Sequence, residues 1–271
     1  LPNLNGIEGC LNLEFIYFNN CTISDYSDLS KCVNLKSLYV NIPAPGYGNP
    51  LKSKEQANLE INNLSDAMEN ASAMKQLENV GIWGIDFIVK SRFGIGVSGR
   101  EITEGGKGNV NELSDISGLK KWNKTVKASI KYLYLNHNSF SSTDALKDFI
   151  GIYELWVYGC MKLKNLNDLG TCTNLQYLVA HYTGLEDISG IDGCSKLNYM
   201  CIFYSESLDS LKGIENCENL EVLNGHHCNI VDVKSLSGND GKGLISLKNL
   251  DLEYNTQLKD VSNISKCNNI N

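Results

Sequence analysis

A four-residue phrase returns along this chain at nearly constant intervals, and it limits the possible folds more than any other feature. Cys-x-Asn-Leu stands at Cys10-Leu11-Asn12-Leu13, Cys32-Val33-Asn34-Leu35, Cys172-Thr173-Asn174-Leu175 and Cys217-Glu218-Asn219-Leu220. Cys194-Ser195-Lys196-Leu197 and Cys267-Asn268-Asn269-Ile270 are close variants. Cys10 to Cys32 and Cys172 to Cys194 are steps of 22 residues, and Cys194 to Cys217 is a step of 23. Each start leads into Leu-x-x-Leu-x-apolar; Leu175, Leu178, Ala180, Thr183, Leu185 and Ile188 show one full unit. A second phrase closes several units, as in Leu113-Ser114-Asp115-Ile116-Ser117-Gly118-Leu119 and Leu185-Glu186-Asp187-Ile188-Ser189-Gly190-Ile191. Self-similarity at such a period marks a repeat architecture.

One short unit cannot bury its own apolar face, so neighbouring units must stack into a continuous core. The Leu-x-Leu pair alternates inward and outward as a short strand, which gives a parallel sheet along one side. The Asp-Ile-Ser segments suit tight turns on the other side, where Asp accepts hydrogen bonds from backbone N–H groups. Units are expected near 10–31, 32–73, 74–126, 127–148, 149–171, 172–193, 194–216, 217–243 and 244–266. Two stretches break the rhythm. The first carries Pro43, Pro45 and Pro50. After it, residues 51–73 read either as a degenerate unit or as an insertion with a helix around 65–76. The second, from about 86 to 110, holds Phe87-Ile88-Val89 and many glycines and reads as a hairpin. Insertions at about 43–62 and 86–110 are therefore expected to collect on one side, often the binding side.

These units resemble those of bacterial leucine-rich-repeat proteins with short repeats, of the internalin-like kind, over nearly the whole chain. The resemblance implies an α/β fold in a single domain spanning 1–271. That fold is a right-handed solenoid, with a parallel sheet on its concave side and short helical turns on its convex side. Members of the family usually carry Asn at the turn after the strand. Here Asn138 and Asn255 stand there, with Cys21, Cys160 and Cys228 in other units; the repeat consensus accepts either. By analogy of fold, the resemblance also implies adhesion or recognition at an extracellular or cell-surface location.

Composition narrows the partners. The formal net charge of −7 argues against nucleic acid or an anionic membrane, which need a basic patch. No apolar run reaches the length of a membrane span. Leu1-Pro2-Asn3-Leu4 does not read as a signal peptide. The partial units at 1–10 and 267–271 suggest a fragment of a longer protein.

The residues that alternate with the inward Leu, Ile and Val are the candidates for function. They place Phe15, Tyr17, Tyr39, Trp83, Tyr132, Tyr134, Trp156, Tyr158, Tyr177, His181, Tyr199, Phe203 and His226 on the concave face, although aromatics make up only 8% of the chain. Such a stripe marks an interaction surface, since Tyr and Trp bring large contact area at low entropy cost. The rival reading is that aromatics simply favour strands and support each other across them. The expected partner is a protein, a peptide or a glycan, bound without enzymatic chemistry, cofactor or metal. A structural spacer is the alternative.

Three further features weigh less. Cys201 between His181 and His226 has the makings of an activated nucleophile or part of a metal site, but no orienting acid accompanies it. Gly94-Ile95-Gly96-Val97-Ser98-Gly99 fits a phosphate-binding phrase that has meaning only between a strand and a helix. Cys10, Cys32, Cys172, Cys194, Cys217 and Cys267 share one repeat position and are expected to stack as a buried ladder of free thiols.

Overall fold

The computed structural model describes residues 3–19, 21, 23–41, 54–83 and 113–270. Each expected unit supplies one strand: β1 (Phe15–Asn19), β2 (Ser37–Asn41), β3 (Asn79–Trp83), β4 (Tyr132–Tyr134), β5 (Glu154–Trp156), β6 (Tyr177–Val179), β7 (Tyr199–Cys201), β8 (Val222–Asn224) and β9 (Asn249–Asp251). They form one parallel sheet in chain order. The register joins equivalent repeat positions, so Leu133, Leu155, Leu178, Met200 and Leu223 line up in successive strands. All five are fully buried, which is what fixes that register, since a one-residue slip would turn every core side chain to solvent.

On the opposite side the chain returns mostly through 3-10 turns. The acidic residue of the closing phrase starts them. Asp25, Asp115, Asp187 and Asp260 each accept the backbone N–H two residues on, at 2.7–2.9 Å. Carboxylate acceptors satisfy donors that a short helical turn leaves open.

Two ladders of small polar side chains tie the coils together. In the first, Cys172 and Cys194 donate their thiols to the carbonyls of Leu146 and Leu169 in the coil before, at 3.5 and 3.4 Å. Cys32, Cys172, Cys194, Cys217 and Cys267 are buried as expected, whereas Cys10, on the first coil, is exposed; all ten cysteines are free thiols. In the second ladder Asn138 donates to Ile82 and Leu135, both at 2.9 Å, and Asn255 donates to Gly225 and Leu252. Cys160 and Cys228 take the same place and donate to Leu135 and Ile202. Burial pushes the Cys160 thiol up to about 12 and Cys228 to about 11, so both stay protonated donors.

β2 pairs directly with β3, and the return between them contains a helix, α1 (Lys54–Glu69). It begins earlier than the segment 65–76 suggested by the sequence. The reason is that Ala71, Met74, Leu77 and Val80, all buried, already form the opening of the next coil. α1 buries Ala57, Ile61, Leu64 and Met68, spaced as one helical face. Polar anchors hold it: Tyr26 donates to Glu60 at 3.0 Å, the Ser114 N–H to Asn58 at 3.1 Å, and the Trp122 indole to Ser65 at 3.1 Å. A second helix, α2 (Lys124–Ser129), is capped by Asn123, which accepts from the Thr125 N–H. The glycine-rich phrase at 94–99, the expected insertion at 86–110 and the proline-bearing stretch at 43–50 lie outside the described residues.

Candidate functional site

The face of the sheet turned away from the core is built in columns, because equivalent strand positions stack from coil to coil. The first column contains Phe15, Tyr132, Glu154, Tyr177 and Tyr199; the second contains Tyr17, Tyr39, Tyr134, Trp156 and Cys201. The third continues just past the short strands with Tyr158, His181, Phe203 and His226. Its alignment is held by backbone bonds from Gly159 N–H to His181, Tyr182 N–H to Phe203, and Tyr204 N–H to His226. Trp83 closes β3, and its side chain lies outside the described residues.

Rings touch throughout. Phe15 meets Tyr39 at 5.6 Å between centroids, Tyr134 meets Trp156 at 5.9 Å, and Tyr177 stacks on Tyr199 at 6.1 Å. Tyr153, which the alternation did not single out, bridges Tyr132 and Tyr177 at 6.0 and 5.4 Å.

Exposure is uneven. Phe15 and Tyr17 are 51% and 41% exposed. Tyr39, Tyr132, Trp156, Tyr177, His181, Tyr199, Phe203 and His226 are half-buried. Tyr134 and Tyr158 keep only 8% and 3% of their surface. Expected as open contact residues, these two are instead covered, because rings pack around them: Tyr158 lies 4.7 Å from His137, 4.9 Å from His181 and 6.0 Å from Trp156. Asn136 Oδ1, Trp156 Nε1 and His181 Nδ1 are buried beside them with no hydrogen-bond partner among the described residues, which is uncommon for buried polar atoms.

A fourth column escaped the sequence reading. The residue after each third-column position is His137, Gly159, Tyr182, Tyr204, His227 or Tyr254, and all six have positive φ, between 51° and 70°. For a residue with a side chain this left-handed conformation costs on the order of 1 kcal/mol, and glycine, as at Gly159, takes it freely. Five of the six are aromatic or imidazole rings all the same. Tyr182 stacks on Tyr204 at 4.6 Å, Tyr204 on His227 at 4.3 Å, and His227 lies 4.1 Å from Tyr254. The third column runs beside it, with His181 on Phe203 at 4.3 Å and Phe203 on His226 at 4.5 Å. Rings of the two columns meet nearly edge-on, at 72–80°. The repeated pair of rings just before the inward Thr183, Ser205 and Cys228 was the available signal.

The chemistry of the Cys–His group is unhelpful to a nucleophile. Cys201 is 4% exposed, and burial pushes its thiol up to about 11. Burial first, and then the neighbouring His137 and His226, pull His181 down to about 4, so it is a poor proton acceptor at neutral pH. Nucleophilic cysteines need the opposite shift. Among the described residues no group of three His, Cys, Asp or Glu is placed to hold a metal ion, and no helix is long and apolar enough to cross a membrane.

No family model matches the chain, and no curated protein sequence matches it. Its backbone is similar to that of an internalin of Listeria monocytogenes, with a TM-score of 0.60 and 21% identity over 100% of this chain and 69% of the other. It also resembles internalin C2 of the same bacterium, with a TM-score of 0.55 and 17% identity over 97% and 81% of the two chains. A leucine-rich-repeat protein of Leptospira interrogans aligns with a TM-score of 0.53 and 14% identity over 100% and 62%. These likenesses concern architecture: the chain is a leucine-rich-repeat solenoid whose backbone is similar to that of internalins.

Proposed function

We propose that this chain is a non-enzymatic binding module that grips a macromolecular partner, a polypeptide or a glycan, with the concave face of its sheet. The observation that carries the reading is the run of half-buried rings extending from Phe15 on β1 to the columns beside β6–β9. Rings already packed against one another lose little freedom on binding, which lowers the entropic cost of association. The strained fourth column supports the same reading. Bulky side chains at left-handed positions that glycine would fill without strain point to a role beyond folding. The outward strand positions carry no Lys or Arg, which argues against nucleic acid as the partner. The internalin-like architecture favours a place at the cell surface, by analogy of fold.

The test is a paired pull-down from glycan and protein libraries. One bait is the native chain, and the other carries Trp156→Ala, Tyr177→Ala and Tyr199→Ala. A ligand held by the first and lost at least about tenfold by the second, with both folded by circular dichroism, establishes the concave face as the working surface. Equal capture by both moves the site elsewhere, and no capture by either favours a spacer.

A further inference from the structure

All four histidines of the chain, His137, His181, His226 and His227, stand in the third and fourth ring columns. Two of them form the rung that joins the columns: His226 Nδ1 lies 2.7 Å from His227 Nδ1. At that distance one ring donates its hydrogen and the other offers its lone pair. If both Nδ1 atoms carry hydrogen, two N–H groups face each other, and the contact must open.

The surroundings of this pair define what it would control. From the coil of β7 it is faced by Cys201, Phe203 and Tyr204. On the coil of β9, Asp251 is the register partner of Asn224, the Glu253 carbonyl accepts the His227 N–H at 2.9 Å and the Tyr254 ring lies 4.1 Å from His227, while the pair's own coil adds Asn224 and Cys228. The full charges in this group are the carboxylates of Asp251 and Glu253. The lysines nearest the strand starts are already paired, Lys248 with Glu221 at 2.9 Å and Lys131 with Glu78 at 2.6 Å. This end of the ring columns therefore offers negative charge.

The rings also select among partners. His181, Phe203, Tyr204 and His227 each lie between a ring on either side at 4.1–4.9 Å, so their faces are largely taken by their neighbours. What remains are ring edges with their hydroxyl and imidazole nitrogen atoms. A sugar needs a free ring face for stacking, whereas an extended polypeptide brings N–H and C=O groups and side chains that edges can meet.

We propose that these two columns bind an extended polypeptide segment bearing a lysine or arginine, its cation held by Asp251 and Glu253, and that protonation of the His226–His227 pair releases it. The proposal rests on the reading of the concave face as the binding surface. Acid acts in two steps: a first proton, taken at the donor ring's Nε2, leaves the contact closed but sets a cation of the chain's own beside the two carboxylates, where it competes with that of the ligand, and a second, on the acceptor's Nδ1, opens the contact.

The experiment pans a random peptide display library against the native chain at about pH 7.5 and measures the enriched peptides, made synthetically, by calorimetry at about pH 7.5 and about pH 5.5, a range that imidazoles titrate across. The enriched peptides are expected to carry Lys or Arg, and Asp251→Asn with Glu253→Gln should weaken them about fivefold or more. Acid should weaken native binding by a similar factor, while His226→Phe with His227→Phe brings the ratio of the two affinities close to one. Peptides indifferent to the carboxylate variant, native binding indifferent to acid, or an acid effect that persists in the phenylalanine variant would overturn the proposal. Capture of glycans alone, lost with the Trp156, Tyr177 and Tyr199 substitutions, would overturn it while leaving the concave face as the site. Peptides that bind the triple variant, the carboxylate variant and the phenylalanine variant all unchanged would remove the concave-face reading itself.

Discussion

Asn138 and Cys160 occupy the same inward position of successive coils, yet they contribute differently. Asn138 supplies two amide hydrogens to two buried carbonyls, Ile82 and Leu135, while Cys160 supplies one weak S–H to Leu135. Asn138→Ala should therefore cost roughly 1–3 kcal/mol, the penalty of an unsatisfied buried carbonyl. Cys160→Ala should cost less, because Leu135 keeps its amide donor. Urea unfolding midpoints of the two variants decide the matter, and an equal loss would refute the ladder argument. A second prediction concerns acid. His137 and His181 are both pulled down to about 4, chiefly by burial, whereas an unfolded imidazole titrates near about 6.5. Below that value the unfolded chain binds more protons than the folded one. Stability should thus be full above about pH 6.5 and fall steadily towards pH 4, at on the order of 1 kcal/mol per pH unit for each group. A flat midpoint over that range would show that the two rings are not held neutral.

Among the described elements, α1 departs most from the repeat. It replaces a short return turn with a 16-residue helix whose Leu64 and Met68 are buried against the core. Its polar anchors reach both ways, to Tyr26 before it and to Ser114 and Trp122 after it. Leu64→Ala should destabilise the chain by roughly 2–5 kcal/mol, read as a shift in the thermal or urea midpoint. A loss well under 1 kcal/mol would mean that α1 is a loosely held appendage. The helix itself was only partly legible. A helix could be inferred from the long gap between repeats, but its bounds depend on where the next coil claims Ala71 and Met74, and that is settled by packing. The strands were legible throughout, because Leu-x-Leu with a period of two leaves one way to bury a face.

For the whole molecule, a net charge of −7 and carboxylates at one end of the proposed binding face should draw in a cationic partner from a distance. Association should slow as salt is raised, while dissociation changes little, because screening acts on the encounter more than on the packed rings. Stopped-flow rates across a salt series test this, and a salt-independent association rate would speak against electrostatic steering. The recurring Cys-x-Asn-Leu phrase determined the solenoid, its nine described strands, the inward ladders and the first three outward columns, since each follows from a repeat that must stack and a strand that must alternate. The fourth column follows from neither rule. Tyr182, Tyr204, His227 and Tyr254 come directly after third-column positions, so alternation alone assigns them to the core. Only a left-handed turn of the backbone at each coil brings them out beside the third column. The burial of Tyr134 and Tyr158 was likewise decided in three dimensions, by rings from neighbouring coils that no single unit contains.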